Sequence, residues 1–162
     1  MKTPLDTTSI AADMLVRDAL QFYLDENGFT VLEYEANVTQ FYFLGLSLPV
    51  PNPPSRKAAV RFHDLHHLVT GYGTDTPGEA EVAAWELRRG LGAFGLYIKL
   101  IVCMGTLLGL VTSYKRTVEA WKVAQSGTTL FRAEPARYEA FLNMTLRELR
   151  AVYDLPPDGV AT

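Results

Sequence analysis

The sequence predicts an all-α protein, a single-domain helical bundle with a buried apolar central helix. Segments between glycine and proline breaks carry apolar residues at the three- and four-residue spacing of an amphipathic helix. The chain has 162 residues, a length that suits one domain, and 48% of them are hydrophobic, which is enough to build a core. An uninterrupted apolar segment that begins near residue 100 is the candidate for the central helix.

The first part of the chain is predicted to hold two helices with an ambiguous stretch between them. Residues 9–27 have helical spacing, with Ser9 placed to cap the helix and Gly28 placed to end it. Residues 29–48 are rich in β-branched and aromatic residues, which favours a strand, but several of them also share one helical face. We favour a helix there. The four prolines of residues 49–55 are expected to continue neither kind of element.

The rest of the chain is predicted to be helical almost throughout. Thr76-Pro77 has the pattern of a helix start, and Gly71 stands where the preceding helix should end. Two consecutive prolines are expected to close the fold, and residues 157–162 are expected to form a loose tail. The predicted helices cover about residues 55–70, 76–89, 91–125, 135–142 and 146–153.

The composition argues against several classes of protein. The net charge of −3 and an isoelectric point near 5.6 argue against nucleic-acid binding, because phosphate binding needs concentrated positive charge. The single cysteine, Cys103, excludes an intrachain disulfide and a multi-cysteine zinc finger. The first twenty residues contain three aspartates and lack the apolar segment of a signal peptide. We therefore expect the protein in the cytoplasm of a bacterium.

The segment Leu100–Tyr114 is a run of 15 residues without a charge. At about 1.5 Å per residue it falls short of the bilayer's apolar core of about 30 Å, so a simple transmembrane helix is rejected. Two interpretations stay open, a buried central helix and a helix that lines an apolar slot for a polyprenyl tail. Gly105 and Gly109 lie one turn apart and leave a smooth face where an isoprenoid or a second helix can approach closely.

All three histidines of the chain lie within five residues, His63-Asp64-Leu65-His66-His67. On a helical wheel His63, Asp64 and His67 share one arc, whereas His66 points in another direction. Two imidazoles one turn apart can both reach one metal ion. A carboxylate on the same arc can add an oxygen ligand or orient a histidine. This pattern predicts a metal site rather than a set of surface histidines.

Glu79 has two interpretations, and spacing alone does not decide between them. It lies twelve residues beyond His67, and the three glycines and one proline between them allow the chain to reverse and bring Glu79 beside His67. Alternatively, Thr76 and Glu79 form a capping box, in which the glutamate bonds the amide of the cap residue.

The segment HDLHHLVTGYGTDTPGE, with His-Asp-x-x-His and then Glu after eleven residues, resembles the metal motif of the Coq-four family of ubiquinone (coenzyme Q) biosynthesis proteins. The neighbouring segments RFHDLHHLVTGYGTD and GEAEVAAWEL are similar to that family, as are SYKRTVEAWKVAQSGTTLF and the terminal LRELRAVYDLPP. The resemblance covers about residues 52–156. It divides the chain into a divergent N-terminal part, residues 1–54, and a family-like metal-binding core, residues 55–156.

The resemblance implies an all-helical protein with one divalent metal, either zinc, iron or another transition metal, held by His63, Asp64, His67 and Glu79. It also implies a membrane-associated role in the quinone pathway, removal of the ring carboxyl of a prenylated hydroxybenzoate and hydroxylation of that carbon. The expected partners are this prenylated lipid precursor and the inner face of a membrane, contacted peripherally. A homodimer is compatible with the sequence.

Two other functions stay open. One is a lipid-binding scaffold for the pathway's enzymes with a structural metal, and the other is a small metallohydrolase, since His-Asp-x-x-His is one methylene from a zinc peptidase motif. The apolar run favours the enzyme and the scaffold. Against a hydrolase, Asp64 as a ligand is not free to act as a general base.

Three further residues are candidates near the site. Arg56 and Arg61, on the histidine helix or just before it, are positioned to hold a substrate carboxylate or an anionic lipid headgroup. A solvated basic helix end is an equally good interpretation. Glu86 lies seven residues after Glu79, on the same helical face, and is a candidate for an acid that supports the ligands.

Overall fold

Seven α-helices and one two-stranded sheet form the regular structure of residues 10–43 and 46–161, which are the residues that this computed structural model describes. The all-α class is confirmed. The helices are α1 (Val16–Asn27), α2 (Pro54–Thr70), α3 (Thr76–Arg89), α4 (Leu96–Thr112), α5 (Tyr114–Val123), α6 (Tyr138–Leu142) and α7 (Leu146–Val152). The strands are β1 (Val38–Phe43) and β2 (Leu46–Pro51), and short 3₁₀ helices lie at Val31–Glu35, Leu130–Arg132 and Pro135–Arg137.

Residues 38–43 and 46–51 pair as two antiparallel strands, so the helix predicted for residues 29–48 is wrong. β1 pairs with β2 in antiparallel register, with Val38 opposite Pro51. The β-branched and aromatic composition of this stretch was the correct signal, since such side chains fit a pleated surface. β2 also continues through the first prolines of residues 49–55. Proline is tolerated there because both strands of a two-stranded sheet are edge strands.

The buried helix of the bundle is α2, and not the apolar helix α4 that the sequence predicts at the centre. Every residue from Asp64 to Thr70 is buried, and α2 packs against α1, α3, α4 and α7. The predicted bounds of α2 and α3 are confirmed to within one residue. Gly71 ends α2 with a φ of 88°, a left-handed conformation that glycine adopts without strain. His66 and His67 therefore lie in the interior of the fold.

Helix α4 lies at the surface and buries only one face. Its buried residues are Ile98, Val102, Thr106 and Gly109, and it packs mainly against α3 and α5. The chain breaks at Ser113 and continues as α5, rather than as one helix to residue 125. Among the helices of the described residues, none combines the length and apolarity that crossing a membrane requires.

The two glycines of α4 contact other helices, so the prediction that they line a slot for an isoprenoid is wrong. A Cβ added to Gly109 would collide with the Cβ of Ala80 and lie 2.5 Å from Thr117 Oγ1. A Cβ at Gly105 would lie 3.0 Å from the Cβ of Ala83. The smooth face of α4 is filled by α3 and α5, because small side chains allow helices to approach closely.

We expect Gly109→Ala to destabilise the protein by about 1–3 kcal/mol, because the new methyl group overpacks the contact between α3, α4 and α5. Gly105→Ala is the matched control. It adds the same methyl group and the same gain in helix propensity, about 1 kcal/mol, but meets only one atom, the Cβ of Ala83, at 3.0 Å rather than 2.4 Å. Urea denaturation of both variants measures the difference. Equal free energies of unfolding would contradict the close packing at Gly109.

Backbone hydrogen bonds hold the C-terminal end of the described chain. The amides of Val160 and Ala161 donate to Thr70 O, over 2.7 and 2.9 Å. The loose tail predicted for residues 157–162 is therefore wrong as far as residue 161, because the last carbonyl of α2 needs donors and finds them there. Thr162 lies outside the described residues.

The N-terminal helix is shorter than predicted. The predicted cap Ser9 lies outside the described residues, and α1 begins only at Val16. Leu15 forms a β-bridge with Thr145, and the Val16 amide donates to Met144 O over 2.8 Å. Pairing with the start of α7 therefore holds Leu15 extended, where spacing along the chain predicted a helix.

Candidate metal centre

His63, His67 and Glu79 come together between α2 and the first turn of α3, where they could hold a metal ion. One potential ligand atom of each residue lies within 4.8 Å of the others. The Nε2 atom of His63 is 3.2 Å from His67 Nε2 and 3.1 Å from Glu79 Oε2. His67 Nε2 is 3.4 Å from Glu79 Oε1. Two imidazole nitrogens and a carboxylate oxygen form a donor set that suits zinc or iron.

The two histidines and the glutamate are positioned by a tight reversal of the chain. His63 and His67 lie one turn apart on α2, as the helical wheel predicted. After Gly71 the chain turns back, and a Cβ at Gly78 would collide with the backbone oxygen of Gly73. Glycine at position 78 therefore allows the start of α3 to lie against the loop, which directs Glu79 toward the histidines.

The capping-box interpretation of Glu79 is wrong. The residue that caps α3 is Asp75, and its Oδ1 accepts a hydrogen bond of 2.9 Å from the Gly78 amide. Thr76 is the first residue of the helix, so Glu79 is not at the position from which a capping box is closed. The carboxylate of Glu79 is free to contact His63 and His67.

A hydrogen bond at Nδ1 of His67 directs the opposite ring nitrogen, Nε2, into the group. Nδ1 lies 3.1 Å from Tyr72 O, and a carbonyl only accepts, so Nδ1 carries the hydrogen. The lone pair is then on Nε2. The ring of Tyr23 stacks on the imidazole, with centroids 5.8 Å apart and planes at 30°. Fixing a ring from outside in this way is typical of histidines that bind metals.

Glu86 orients His63 in the same manner. Its Oε1 accepts from Nδ1 of His63 over 2.8 Å and from Nδ1 of His66 over 2.6 Å, and the carboxylate is fully buried. The Nε2 of His66 accepts from the Leu130 amide over 3.0 Å, so this imidazole is neutral and faces away from the group. The structure thus gives Glu86 the supporting position that the sequence suggested.

The electrostatics of the group favour a cation at its centre. Burial alone would raise the pKa of Glu86, but the imidazoles of His63 and His66 lower it to about 2, so the carboxylate is ionised. Burial alone would lower the pKa of His63, yet Glu86 and Glu79 raise it well above its usual value. The Nε2 atoms of His63 and His67 also face each other, and a proton or a metal ion between them would remove the repulsion between their lone pairs. The residues present fit a divalent metal.

Asp64, the fourth predicted ligand, lies outside the group. Its Oδ2 accepts the hydroxyl hydrogen of Tyr34, and burial raises the pKa of Asp64. On the helix Asp64 is about 100° from His63, which turns its carboxylate toward the segment that carries Tyr34. Because Asp64 is not in the metal group, metal ligation does not keep it from acting as a general base. Its burial and its hydrogen bond to Tyr34 instead argue against a role as the base of a hydrolase.

Tyr23, which stacks on His67, and Tyr34, which bonds Asp64 beside the group, are residues that the sequence reasoning missed. Both lie in the N-terminal part of the chain, which the family resemblance does not cover, and both are buried. Tyr34 also lies in the stretch where a helix was predicted. The only signal that could have found Tyr23 is its place on the apolar face of α1, and that position is equally typical of a core residue.

Arg56 and Arg61 both have partners within the protein. Arg56 Nη1 donates to Thr39 Oγ1 over 2.7 Å and thereby attaches β1 to α2. Arg61 Nη2 donates to Glu35 Oε1 over 2.7 Å, and its guanidinium lies 5.8 Å from the ring centre of Tyr34. Arg61 therefore contacts the tyrosine that bonds Asp64, outside the metal group, and Arg56 holds β1. Substrate binding by either residue stays a prediction.

The geometry of the site establishes which atoms could bind a metal ion. Three side chains from two helices place two imidazole nitrogens and a carboxylate around one point. The Glu86 carboxylate and the Tyr72 carbonyl hold the two rings by accepting hydrogen bonds from their Nδ1 atoms. Comparison of the chain with protein-family models, with curated proteins and with solved structures gives no match.

Proposed function

We propose that this protein takes part in ubiquinone (coenzyme Q) biosynthesis as a metal-dependent enzyme that acts on a prenylated hydroxybenzoate. It removes the ring carboxyl and hydroxylates the same carbon. The observation that carries this proposal is the convergence of His63 Nε2, His67 Nε2 and the Glu79 carboxylate. The spacing of these residues is also that of the Coq-four metal motif, and this resemblance suggests the pathway and the substrate.

The residues of the group have separate tasks in this proposal. A divalent transition metal held by His63, His67 and Glu79 supplies Lewis acidity, and iron also supplies redox chemistry. Glu86 and the Tyr72 carbonyl keep the two imidazoles aimed at the same point. The conversion releases carbon dioxide and adds one oxygen atom from water to the ring, which is a two-electron oxidation. Dioxygen accepts the two electrons and two protons and leaves as hydrogen peroxide. Because a prenylated ring resides in a bilayer, we also propose that the protein acts at the inner face of the membrane.

Metal content and turnover together test this function. Elemental analysis of the purified protein should find about one transition metal ion per chain. The metal-loaded protein, mixed in air with a short-chain prenylated hydroxybenzoate, should yield the product that has lost carbon dioxide and gained one oxygen. His63→Ala and metal-stripped protein are the controls, and neither should form product. Conversion that persists in metal-stripped protein would refute the proposal.

The second candidate is a lipid-binding scaffold with a structural metal, which the exposed apolar surface of α4 favours. A scaffold should bind the prenylated compound equally well with and without metal and should not convert it. Removal of the metal should instead lower the melting temperature, because the ion would join α2 to α3. The turnover experiment, with a melt of the metal-free form added, separates the two candidates.

A further inference from the structure

The outer face of α4 exposes large apolar side chains along the whole helix. The exposed fraction is 85% at Val111, 71% at Leu96 and 67% at Met104. These positions follow one another at steps of seven or eight residues, so they lie along one stripe of the helix. The apolar residues exposed on α4 are Leu96, Leu100, Ile101, Met104, Leu107, Leu110 and Val111. An unbroken apolar surface of this kind marks an interaction site.

The charged residues on α4 and in the segments next to it along the sequence are all positive. Residues 87–118 contain five lysines and arginines and no aspartate or glutamate, although the whole chain has a net charge of −3. Lys99 is near the start of α4 and Lys115 just beyond its end, and both are exposed. Neither forms a hydrogen bond or an ion pair with any residue that the structure describes. Their charges are available to an anionic partner.

We propose that the outer face of α4 docks on the surface of an anionic membrane. The helix lies parallel to the bilayer, with its apolar side chains at the boundary of headgroups and acyl chains and with Lys99 and Lys115 on lipid phosphates. Its 17 residues span about 25 Å, and lying flat lets all of the exposed apolar residues reach the acyl region together. This inference names the surface for the proposed membrane location and does not use the metal chemistry, so either can fail alone.

The charge pattern favours a membrane over a second copy of the chain. Two α4 helices packed antiparallel would bring Lys99 of one copy close to Lys115 of the other. Residues 87–118 offer no acid to pair with them, so a self-contact would place like charges together. The phosphates of anionic lipids, by contrast, would neutralise both lysines.

Vesicle co-sedimentation tests the proposal. The wild-type protein should bind vesicles of phosphatidylcholine with phosphatidylglycerol at least tenfold more strongly than vesicles of phosphatidylcholine alone. Met104→Asp with Val111→Asp should reduce binding to the anionic vesicles at least tenfold. Lys99→Glu with Lys115→Glu should remove the preference for anionic lipid. Leu32→Asp is the matched control, since Leu32 is 78% exposed on a different element, and it should bind as the wild type does.

Three results would overturn the proposal. The first is a wild-type protein that does not bind anionic vesicles, and the second is binding that the α4 variants leave unchanged. The third is a wild-type dimer that Met104→Asp with Val111→Asp converts to monomers while vesicle binding is absent, which would make a second copy the occupant. Met104→Gln, a milder change, repeats the test if the double variant melts early. A melting temperature close to that of the wild type in each variant shows that the fold is intact.

Discussion

Alanine at position 67 is expected to abolish stoichiometric metal binding. His67 supplies one of only two imidazole nitrogens in the group, and its ring is already aimed by the Tyr72 carbonyl. Its loss leaves one imidazole and one carboxylate, and we expect an affinity at least about a hundredfold lower, roughly 2.7 kcal/mol. Metal titration with a chromophoric chelator as competitor measures the affinity. His63→Ala should have the same effect with a smaller loss of stability, because His63 is partly exposed.

His66→Gln is the matched control for these two variants. His66 lies on the same helix and is fully buried, but its two ring nitrogens bond Glu86 and the Leu130 amide rather than the group. One metal ion per chain should therefore still bind to this variant, although its free energy of unfolding should fall. A folded His66→Gln protein without metal, or a His67→Ala protein with one metal per chain, would show that the ligands are assigned incorrectly.

Glutamine at position 79 should weaken metal binding about ten- to a hundredfold without destabilising the metal-free protein. An amide is a much poorer ligand for a divalent cation than a carboxylate, and tenfold corresponds to about 1.4 kcal/mol. The melting temperature of the metal-free form should hardly change, because Glu79 does not cap α3 and its side chain is about half exposed, at 48%. Calorimetric metal titration and a thermal melt of the metal-free form measure the two effects.

Asp75→Ala should have the opposite effects, a loss of stability without a large loss of metal affinity. It removes the side chain that accepts from the Gly78 amide, so it should cost about 1 kcal/mol of stability and leave most of the metal affinity. If Glu79→Gln lowered the melting temperature as much as Asp75→Ala does and left the affinity unchanged, Glu79 would be a structural residue and not a ligand.

Local spacing was sufficient to predict the bounds of α2 and α3 and two of the three residues of the metal group. The bounds of α2 and α3 follow from Gly71, Pro77 and the apolar periodicity, because helix formation depends on residues within a few positions of one another. The same periodicity placed His63 and His67 one turn apart and turned His66 away. It also suggested Glu86, since two residues seven positions apart on a helix share a face.

Contacts between distant parts of the chain decided the rest. Glu79 is a candidate ligand and not a cap because the loop after Gly71 folds back on α2, and Asp64 leaves the group because Tyr34, thirty residues earlier, bonds its carboxylate. Gly109 meets α3, and the outer face of α4 meets no other described element. An apolar or charged side chain has the same local pattern whether it is buried, bonded or exposed. Only the packing of the other helices determines which of these it becomes.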